Sequence, residues 1–253
     1  MHEEERKAQI VSYMATAEFV TVEELMRLTR ASVSTVRRDL LRLERENVLQ
    51  RIHGGARTLQ PRTDNFVFDA RDTQQVAEKE AIGKACAALI GPRQSVLIDS
   101  GSTCFHVARH LGDDVGQIIS NSLPVANLLS GSMRREVLVC GGMIYPRLGA
   151  LIGPHAIEAF SHMHVDVAVL GASGLSAEGL YNSHMLLVDI QRAVISCAAR
   201  VIFCVDHTKF NRRSPLLLTD LSPVDVVVSD APPPEPLAAA LRAAGVEMVV
   251  AGQ

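Results

Sequence analysis

Hydroxyl and guanidinium groups are concentrated in one short stretch near the start of the chain. Ser34 and Thr35 are short enough to approach a base edge or a phosphate, and Arg37 and Arg38 are long and permanently charged. Arginine binds guanine or phosphate through two parallel hydrogen bonds. The stretch therefore predicts binding to double-stranded DNA, with contacts from Ser32, Ser34, Thr35, Arg37, Arg38 and Arg42.

A second basic group follows at residues 51–57, where His53-Gly54-Gly55 separates two short apolar segments. Glycines between such segments supply the turn of a β-hairpin. We expect this hairpin to be a wing that lies along the DNA backbone or in the minor groove. Its predicted contacts are Arg51, His53, Gly54, Gly55 and Arg57.

The formal net charge of the 253-residue chain is −3, which by itself argues against DNA binding. The distribution of charge argues for it. Residues 1–29 contain three basic and six acidic residues, whereas residues 30–57 contain seven arginines and three acidic residues, a net charge of +4. A change of sign within one small domain is what a protein needs if only one face meets phosphate.

Small and polar residues also follow several apolar segments in the rest of the chain. Ligands of open α/β sheets bind beyond the carboxyl ends of the strands, where backbone N–H groups and helix N-termini favour anions. These residues predict one pocket for a phosphorylated, hydroxyl-rich molecule. They are Asp99, Ser100, Gly101, Ser102 and Thr103, then Asn121 and Ser122, Gly141 and Gly142, Gly171, and Asp206 and Lys209.

Within this predicted pocket, Lys209 can pair with a phosphate, and Asp99 or Asp206 can accept hydrogen bonds from sugar hydroxyls. Cys104 follows residues 99–103, where an anion is expected to bind. It could be reactive there, although packing as a small apolar residue is the simpler interpretation. His162 and His164 could chelate a metal, but no nearby trio of Cys or Glu completes a site. We expect neither a metal nor a cofactor.

The DNA-binding residues need three helices to position them. The first spans residues 4–16, and the second starts at Thr21, where Thr21 and Glu24 form a capping box and Val20 and Leu25 a hydrophobic staple. Ser32 caps the third helix, which should end near Asn47. Its buried face should consist of Val33, Val36, Leu40 and Leu43. We expect Asp39 to form a salt bridge with Arg42 or Arg38. With the hairpin, these helices predict a winged helix-turn-helix.

The pocket needs a parallel sheet covered on both faces, because continuous apolar strands alternate with helices. The predicted strands are Ser95–Ile98, Gln117–Ser120, Val137–Cys140, Val165–Leu170, Val201–Val205, Val226–Ser229 and Met248–Val250. The predicted helices are 76–90, 103–111, 124–130, 155–161, 188–199 and 236–244. The fold class is thus α/β, with a DNA-binding domain at 1–58, a linker with some local order at 59–77, and an effector-binding and oligomerisation domain at 78–253.

The composition excludes several classes of protein. Hydrophobic residues make up 47% of the chain, so it is not disordered, and no apolar run approaches the ~18 residues of a membrane span. The charged N-terminus lacks the apolar stretch of a signal peptide, and the five cysteines form no CxxC pair. We expect a cytoplasmic protein without a membrane partner.

The motifs of the first domain resemble those of the DeoR family of bacterial transcriptional regulators. The family signature of T-[IV]-R-R-D-L, then L-E, then R-x-H-G-G-A is matched at 35–40, 43–44 and 51–56. Residues 78–230 resemble the family's C-terminal sensor domain, through D-S-G-S-T at 99–103, N-S-L at 121–123, G-A-S-G at 171–174 and D-H-T-K-F at 206–210. Two departures are Ser102, where Thr is usual, and the stretch 188–192, where an E-x-x-x-K/R pattern is commoner.

The resemblance implies a sensor domain similar to ribose-5-phosphate isomerase and a regulator, most often a repressor, controlled by a sugar phosphate. Its partners would be double-stranded operator DNA, the effector and further copies of the chain, as a homodimer or homotetramer. Two alternatives stay open: an aldose–ketose phosphate isomerase that uses Asp99, Asp206 and Lys209 and carries a DNA-binding module, and an architectural DNA binder without a ligand.

Overall fold

The computed structural model describes residues 3–14, 19–46, 48–52, 54–58, 67–131 and 136–252. The chain divides into two compact units, Met1–Phe66 and Val67–Gln253. Each unit has a core of its own, and each is described by itself below.

The first unit is a winged helix-turn-helix. Its elements are α1 (Glu3–Met14), β1 (Phe19–Thr21), α2 (Val22–Thr29), α3 (Val33–Arg45), β2 (Leu49–Ile52) and β3 (Gly55–Thr58). The three strands form an antiparallel sheet in the order β1-β3-β2. The predicted helices and hairpin are confirmed, and β1 is an addition, since a strand of three residues is too short to show an alternating pattern.

Local capping fixes where α2 and α3 begin. The Thr21 hydroxyl accepts from the backbone N–H of Glu24 at 3.2 Å, and the Glu24 carboxylate accepts from the backbone N–H of Thr21 at 2.7 Å, so the predicted capping box is present. Ser32 caps α3 as predicted. Asn47, the predicted end of α3, lies outside the described residues.

The buried side of α3 differs from the predicted one at two positions. Val36, Leu40 and Leu43 join the core, but Val33 is 39% exposed, so its predicted burial is wrong. The core stripe begins at Val36, and the first turn of α3 stands clear of it. Asp39, one turn further on, is instead almost fully buried.

An ion pair to α1 compensates the charge of Asp39. Arg6 donates from Nε at 2.5 Å and from a terminal nitrogen at 3.0 Å, so it holds both carboxylate oxygens. The predicted salt bridge within α3 is therefore corrected to a bridge between residues 33 positions apart. It turns Asp39, one of the two acids of α3, away from the exposed face and joins α3 to α1.

The second unit contains a seven-stranded parallel sheet in the order β15-β14-β12-β9-β4-β5-β6. Its elements are α4 (Phe68–Asp72), α5 (Val76–Ala87), β4 (Val96–Ile98), α6 (Ser102–His110), β5 (Ile118–Ser120), α7 (Leu123–Ser130), β6 (Val137–Val139), β7 (Met143–Tyr145), β8 (Ala150–Ile152), α8 (Pro154–Ser161), β9 (Val165–Gly171), β10 (Gly174–Ser176), β11 (Gly179–Asn182), α9 (Met185–Cys197), β12 (Ala198–Cys204), β13 (Leu216–Thr219), β14 (Val226–Ser229), α10 (Glu235–Ala243) and β15 (Glu247–Val250).

Both faces of the sheet are covered, as the continuous apolar strands predict. Alternate residues of β9 enter opposite cores, with Val167 and Val169 in one and Ala168 and Leu170 in the other. The first core packs against α5, α6 and α7, and the second against α8, α9 and α10. All seven predicted strands are strands of this sheet.

The sequence analysis missed the antiparallel pairs outside this sheet. β7 pairs with β8, and β10, β11 and β13 form a sheet of three strands. It also missed α4, which lies in the predicted linker. α4 is fixed to the second unit by Phe68, which packs edge-on against Phe105 and donates its backbone N–H to the carbonyl of Arg147.

No helix in the described part of the chain is long and apolar enough to cross a membrane. The five cysteines are all free and buried.

Gly55 and Gly54 make a matched pair for testing the wing. A Cβ at Gly55 would lie 2.0 Å from the carbonyl oxygen of Val20, so β1 and β3 must separate to admit one. Gly54 has φ +82°, and a Cβ there would meet no atom within 4 Å. We expect Gly55→Ala to destabilise the first unit by about 2–3 kcal/mol and Gly54→Asn to change it by under about 1 kcal/mol. Hydrogen exchange of the β3 amides measures both, and equal exchange in the two variants would contradict this assignment.

Candidate DNA interface and effector pocket

The exposed face of α3 carries the predicted DNA-binding side chains. The Ser32 hydroxyl lies 2.9 Å from the hydroxyls of Ser34 and Thr35, which orders a cluster of hydroxyls at the helix N-terminus. Arg37 and Arg38 are exposed, and Arg42 is half-buried. Val33 shares this exposed first turn, although the sequence analysis placed it in the core. An apolar side chain here suits contact with a thymine methyl group.

The wing is described only in part. Arg51 is exposed and lies near Glu44, with the backbone N–H of Arg51 donating to the Glu44 carboxylate at 2.9 Å. Gly54 is exposed at the turn, whereas Gly55 is buried against β1, so packing accounts for that glycine. His53 lies outside the described residues, and the side chain of Arg57 is not described.

The order of the parallel strands locates the pocket in the second unit. From β4 the chain runs outwards to β5 and β6 on one side, then returns to add β9 and β12 on the other. The direction of winding therefore changes between β4 and β9. Ligands of open α/β sheets bind in the crevice at this switch point. Asp99–Thr103 follow β4 and Gly171 ends β9, so both predicted clusters lie there.

Asp99 is the centre of a buried polar network at the switch point. Its carboxylate accepts from the Gln191 amide at 2.7 Å and from the backbone N–H groups of Ser100 and Gly171. The same Gln191 nitrogen donates to the Gly171 carbonyl at 2.8 Å. Gln191 thereby fastens the end of β4 to the end of β9.

The network continues away from Asp99. Asn182 donates to the Gln191 carbonyl oxygen at 2.9 Å, and Ser173 donates to Asn182 at 3.2 Å. Since Asp99 and Gln191 are only 2% and 1% exposed, the network replaces water around the carboxylate. Burial still raises the pKa of Asp99, against the opposing effect of its hydrogen bonds and of the Arg71 charge.

Two buried cations border the network. Burial lowers the pKa of Arg71, which has Asp99 as its strongest charged neighbour, and its Nε has no hydrogen-bond partner. Lys79 donates to the carbonyl oxygens of Gln74, at 2.6 Å, and Arg71. Burial lowers the pKa of Lys79 from its usual 10.5 to about 8, although the carboxylates of Asp206 and Asp72 act in the opposite direction.

Asp206 and Lys209 lie beyond β12 and belong to the same charged group. Their side chains are 3.4 Å apart, and both are charged neighbours of Lys79. Burial acts to raise the pKa of Asp206, but hydrogen bonds from Thr208 and the charge of Lys209 outweigh it, so this pKa is lowered. Asp206 is therefore held as a carboxylate beside Lys209 and near Lys79.

The other predicted pocket residues fall into two groups, one close to the switch point and one further from it. Asn121 and Ser122 are fully buried after β5, the strand beside β4, and Ser102 and Thr103 are buried in the first turn of α6. Gly141 and Gly142 are exposed after the edge strand β6, two strands from β4. A Cβ at Gly142 would lie 2.8 Å from the carbonyl oxygen of Ile152, so a close approach to β8 accounts for that glycine.

Three residues at or near the charged group around Asp99 and Asp206 were not predicted as site residues: Arg71, Lys79 and Gln191. Arg71 lay in the predicted linker, which gave no periodic signal. Gln191 lay in the stretch where the chain departs from the commoner E-x-x-x-K/R pattern, and that departure was the available signal. Within the described ranges, no group of three or more His, Cys, Asp or Glu side chains could hold a metal ion.

Comparisons with known proteins match both parts of the chain. The family model of the DeoR-like helix-turn-helix domain matches residues 6–62, and that of the DeoR C terminal sensor domain matches residues 74–231. The HTH-type transcriptional repressor GlcR of Bacillus subtilis (strain 168) is 30% identical over 255 residues, covering 100% of this chain and 98% of that protein. The glycerol-3-phosphate regulon repressor of Escherichia coli (strain K12) is 33% identical over 236 residues, covering 92% and 93%.

Among solved structures, ribose 5 phosphate isomerase A from Neisseria gonorrhoeae is similar to part of the chain. It is 16% identical, covers 56% of each chain and has a TM-score of 0.39.

Replacing Gln191 by Leu tests the network. The variant leaves Asp99, Asn182 and the Gly171 carbonyl without the partner that the amide supplies, and each unpaired buried group costs about 1–3 kcal/mol. We expect a loss of at least about 3 kcal/mol from the free energy of unfolding, measured by denaturant titration. Ser196→Ala, on the same helix, removes an exposed hydroxyl bonded to a helical carbonyl and is the control. A Gln191→Leu variant as stable as this control would contradict the role of the network.

Proposed function

The chain belongs to the DeoR family of bacterial transcriptional regulators, and we propose that it is a repressor of a carbohydrate-metabolism operon whose hold on operator DNA is set by a sugar phosphate. It is a DNA-binding regulator. The observation that carries the effector assignment is the charge of the pocket, where Arg71, Lys79 and Lys209 surround the switch point of the sheet.

The cations favour an anionic ligand with a compact charge. Arg71 is buried beside a carboxylate and keeps an unpartnered Nε donor, which a phosphate oxygen would satisfy. The names of the relatives support the class of ligand, because one of them is a repressor of a glycerol-3-phosphate regulon. The unpartnered side-chain oxygen of Asn121 supplies an acceptor of the kind that a hydroxyl-rich molecule needs.

The carboxylates favour binding over turnover. An isomerase needs a base aimed at a carbon-bound proton of the substrate. Asp99 is enclosed by donors of the protein itself, and Asp206 is held by Thr208 and Lys209. This arrangement supports a sensor, and the DNA-binding unit has no use in an isomerase.

We further propose that two or more copies act together on DNA. A single winged helix presents one recognition helix to one major groove, and paired half-sites need two such helices at a fixed spacing. A ligand that binds one state of the assembly more tightly would shift it between spacings that fit the operator and spacings that do not.

Arg37 and Arg38 provide the test of DNA binding. Replacing both with Ala should abolish binding to DNA upstream of the chain's own gene. Replacing either one alone should weaken binding and, if that arginine contacts a phosphate, reduce the slope of log affinity against log salt by about 1. Fluorescence anisotropy measures both quantities.

The control replaces Arg213 and Arg242 with Ala. These exposed arginines of the second unit are paired with Glu178 and Glu235, so the control removes the same charge elsewhere. Binding by the Arg37/Arg38 variant that equals binding by the control would refute the assignment of α3 as the recognition helix.

The pKa of Lys79 gives the anion site a predicted pH dependence. Lys79 is charged below its pKa of about 8 and neutral above it. Anion binding favours the charged form, so affinity for sulfate, which stays a dianion throughout this range, should be constant well below pH 8 and fall as pH rises above it. Calorimetric titrations at pH 7 and pH 9 measure the change. Lys79→Arg, which stays charged throughout this range, should remove the decline, and a decline that persists in this variant would assign it to another group.

A further inference from the structure

Most of the buried polar side-chain atoms without partners in the described residues belong to the second unit. In the described part of the chain, four buried side-chain atoms have no hydrogen-bond partner, namely Gln9 Oε1, Arg71 Nε, Asn121 Oδ1 and His184 Nδ1. Only the first belongs to the DNA-binding unit. An unpaired buried atom costs free energy and calls for an explanation, and a ligand that supplies the missing partner is one.

Asn121 is the clearest case, since it is fully buried. Its backbone carbonyl accepts from Leu151, and its side-chain nitrogen has a long contact of 3.5 Å with the carbonyl of the same residue. Its side-chain oxygen has no partner. Because Asn121 follows β5 as Asp99 follows β4, and the Ser120 hydroxyl bonds the Ile98 carbonyl at 2.7 Å, Asn121 lies at the same end of the sheet as Asp99, one strand further from the switch point.

His184 reaches the same region from α9. It precedes the helix without making a side-chain cap, and its ring packs on Tyr145 with centroids 4.9 Å apart. Tyr145 pairs with Ala150, which in turn bridges to Ser122. Two residues before His184, Asn182 belongs to the network of Asp99 and Gln191. His184 Nδ1 is thus held between the hairpin of β7 and β8 and the end of β5.

The three unpaired atoms differ in kind. Arg71 Nε is a donor on a cation, whereas Asn121 Oδ1 is an acceptor and His184 Nδ1 is an acceptor when the ring proton is on Nε2. A phosphate satisfies the first and repels the other two. Hydroxyl groups satisfy the other two.

We propose that Asn121 Oδ1 and His184 Nδ1 accept hydrogen bonds from hydroxyl groups of the effector, and that its phosphate lies at Arg71. This inference rests on the proposed function and adds the orientation of the ligand. The sugar phosphate crosses the switch point with its charged end towards α4 and its hydroxyls towards β5 and the start of α9. Asn121 and His184 then determine which sugar phosphate is bound.

The selectivity that follows is steep. A site built to bond a hydroxyl rejects a ligand that lacks it, because the buried acceptors stay unpaired. Inorganic phosphate reaches Arg71 but leaves both acceptors unsatisfied. A ligand whose hydroxyl groups reach both acceptors should therefore bind more tightly than inorganic phosphate.

The test is calorimetric titration of the full chain with inorganic phosphate, glycerol 3-phosphate, ribose 5-phosphate, glucose 6-phosphate and fructose 6-phosphate. The variants are His184→Phe and Asn121→Ser, with Arg71→Gln for the phosphate end. The controls are His155→Phe and Asn127→Ser, which alter exposed residues of α8 and α7. Thermal unfolding of each variant establishes that it is folded. If His184→Phe is not folded, His184→Ala replaces it.

We expect the wild type to bind at least one of the four organic phosphates more than tenfold more tightly than inorganic phosphate. His184→Phe and Asn121→Ser should each weaken that binding roughly 10- to 100-fold and leave inorganic phosphate unaffected, as the loss of a buried hydrogen bond implies. Arg71→Gln should weaken both.

Two results would overturn the orientation while the proposed function stands. One is full affinity for the preferred sugar phosphate in both acceptor variants. The other is equal loss of sugar phosphate and inorganic phosphate in those variants. If the wild type binds no phosphate compound at all, the proposed effector class fails, and the orientation fails with it.

Discussion

Asp99 is a carboxylate at the meeting point of two strands, with almost no access to solvent, and the sensor has to satisfy it from within. Gln191 does most of this by bonding Asp99 and the Gly171 carbonyl from one nitrogen. A change at Gln191 would therefore affect the ends of β4 and β9 together. Three features depend on this contact. They are the position of residues 99–103, the position of Arg71 beside Asp99, and the path of the chain through Asn182.

In both units a buried acid is bonded by a side chain that is distant in the sequence. In the DNA-binding unit, Arg6 neutralises a buried acid on α3 and leaves the opposite face of that helix to its exposed arginines. In the sensor, the neutral amide of Gln191 encloses the acid instead.

The sequence was sufficient for the features that depend on neighbours in the chain. The capping box of Thr21 and Glu24 and the seven strands of the parallel sheet follow from spacing and from continuous apolar runs. It was insufficient where a partner is distant. Arg6 and Asp39 are 33 positions apart, and Gln191 and Asp99 are 92 apart, so no local pattern could connect them. The three-residue antiparallel strands such as β1 and β7 were missed because alternation needs a longer segment to show, whereas the equally short strands of the parallel sheet were predicted from continuous apolar runs.

The unpaired buried atoms of the sensor have a consequence for how fast the protein is degraded in the cell. While the pocket is empty, their cost lowers the free energy of opening in that part of the sensor. Proteases degrade chains in proportion to the population of such opened states. Occupancy by the proposed effector would therefore lengthen the lifetime of each molecule, and the abundance of the regulator would follow the supply of that effector.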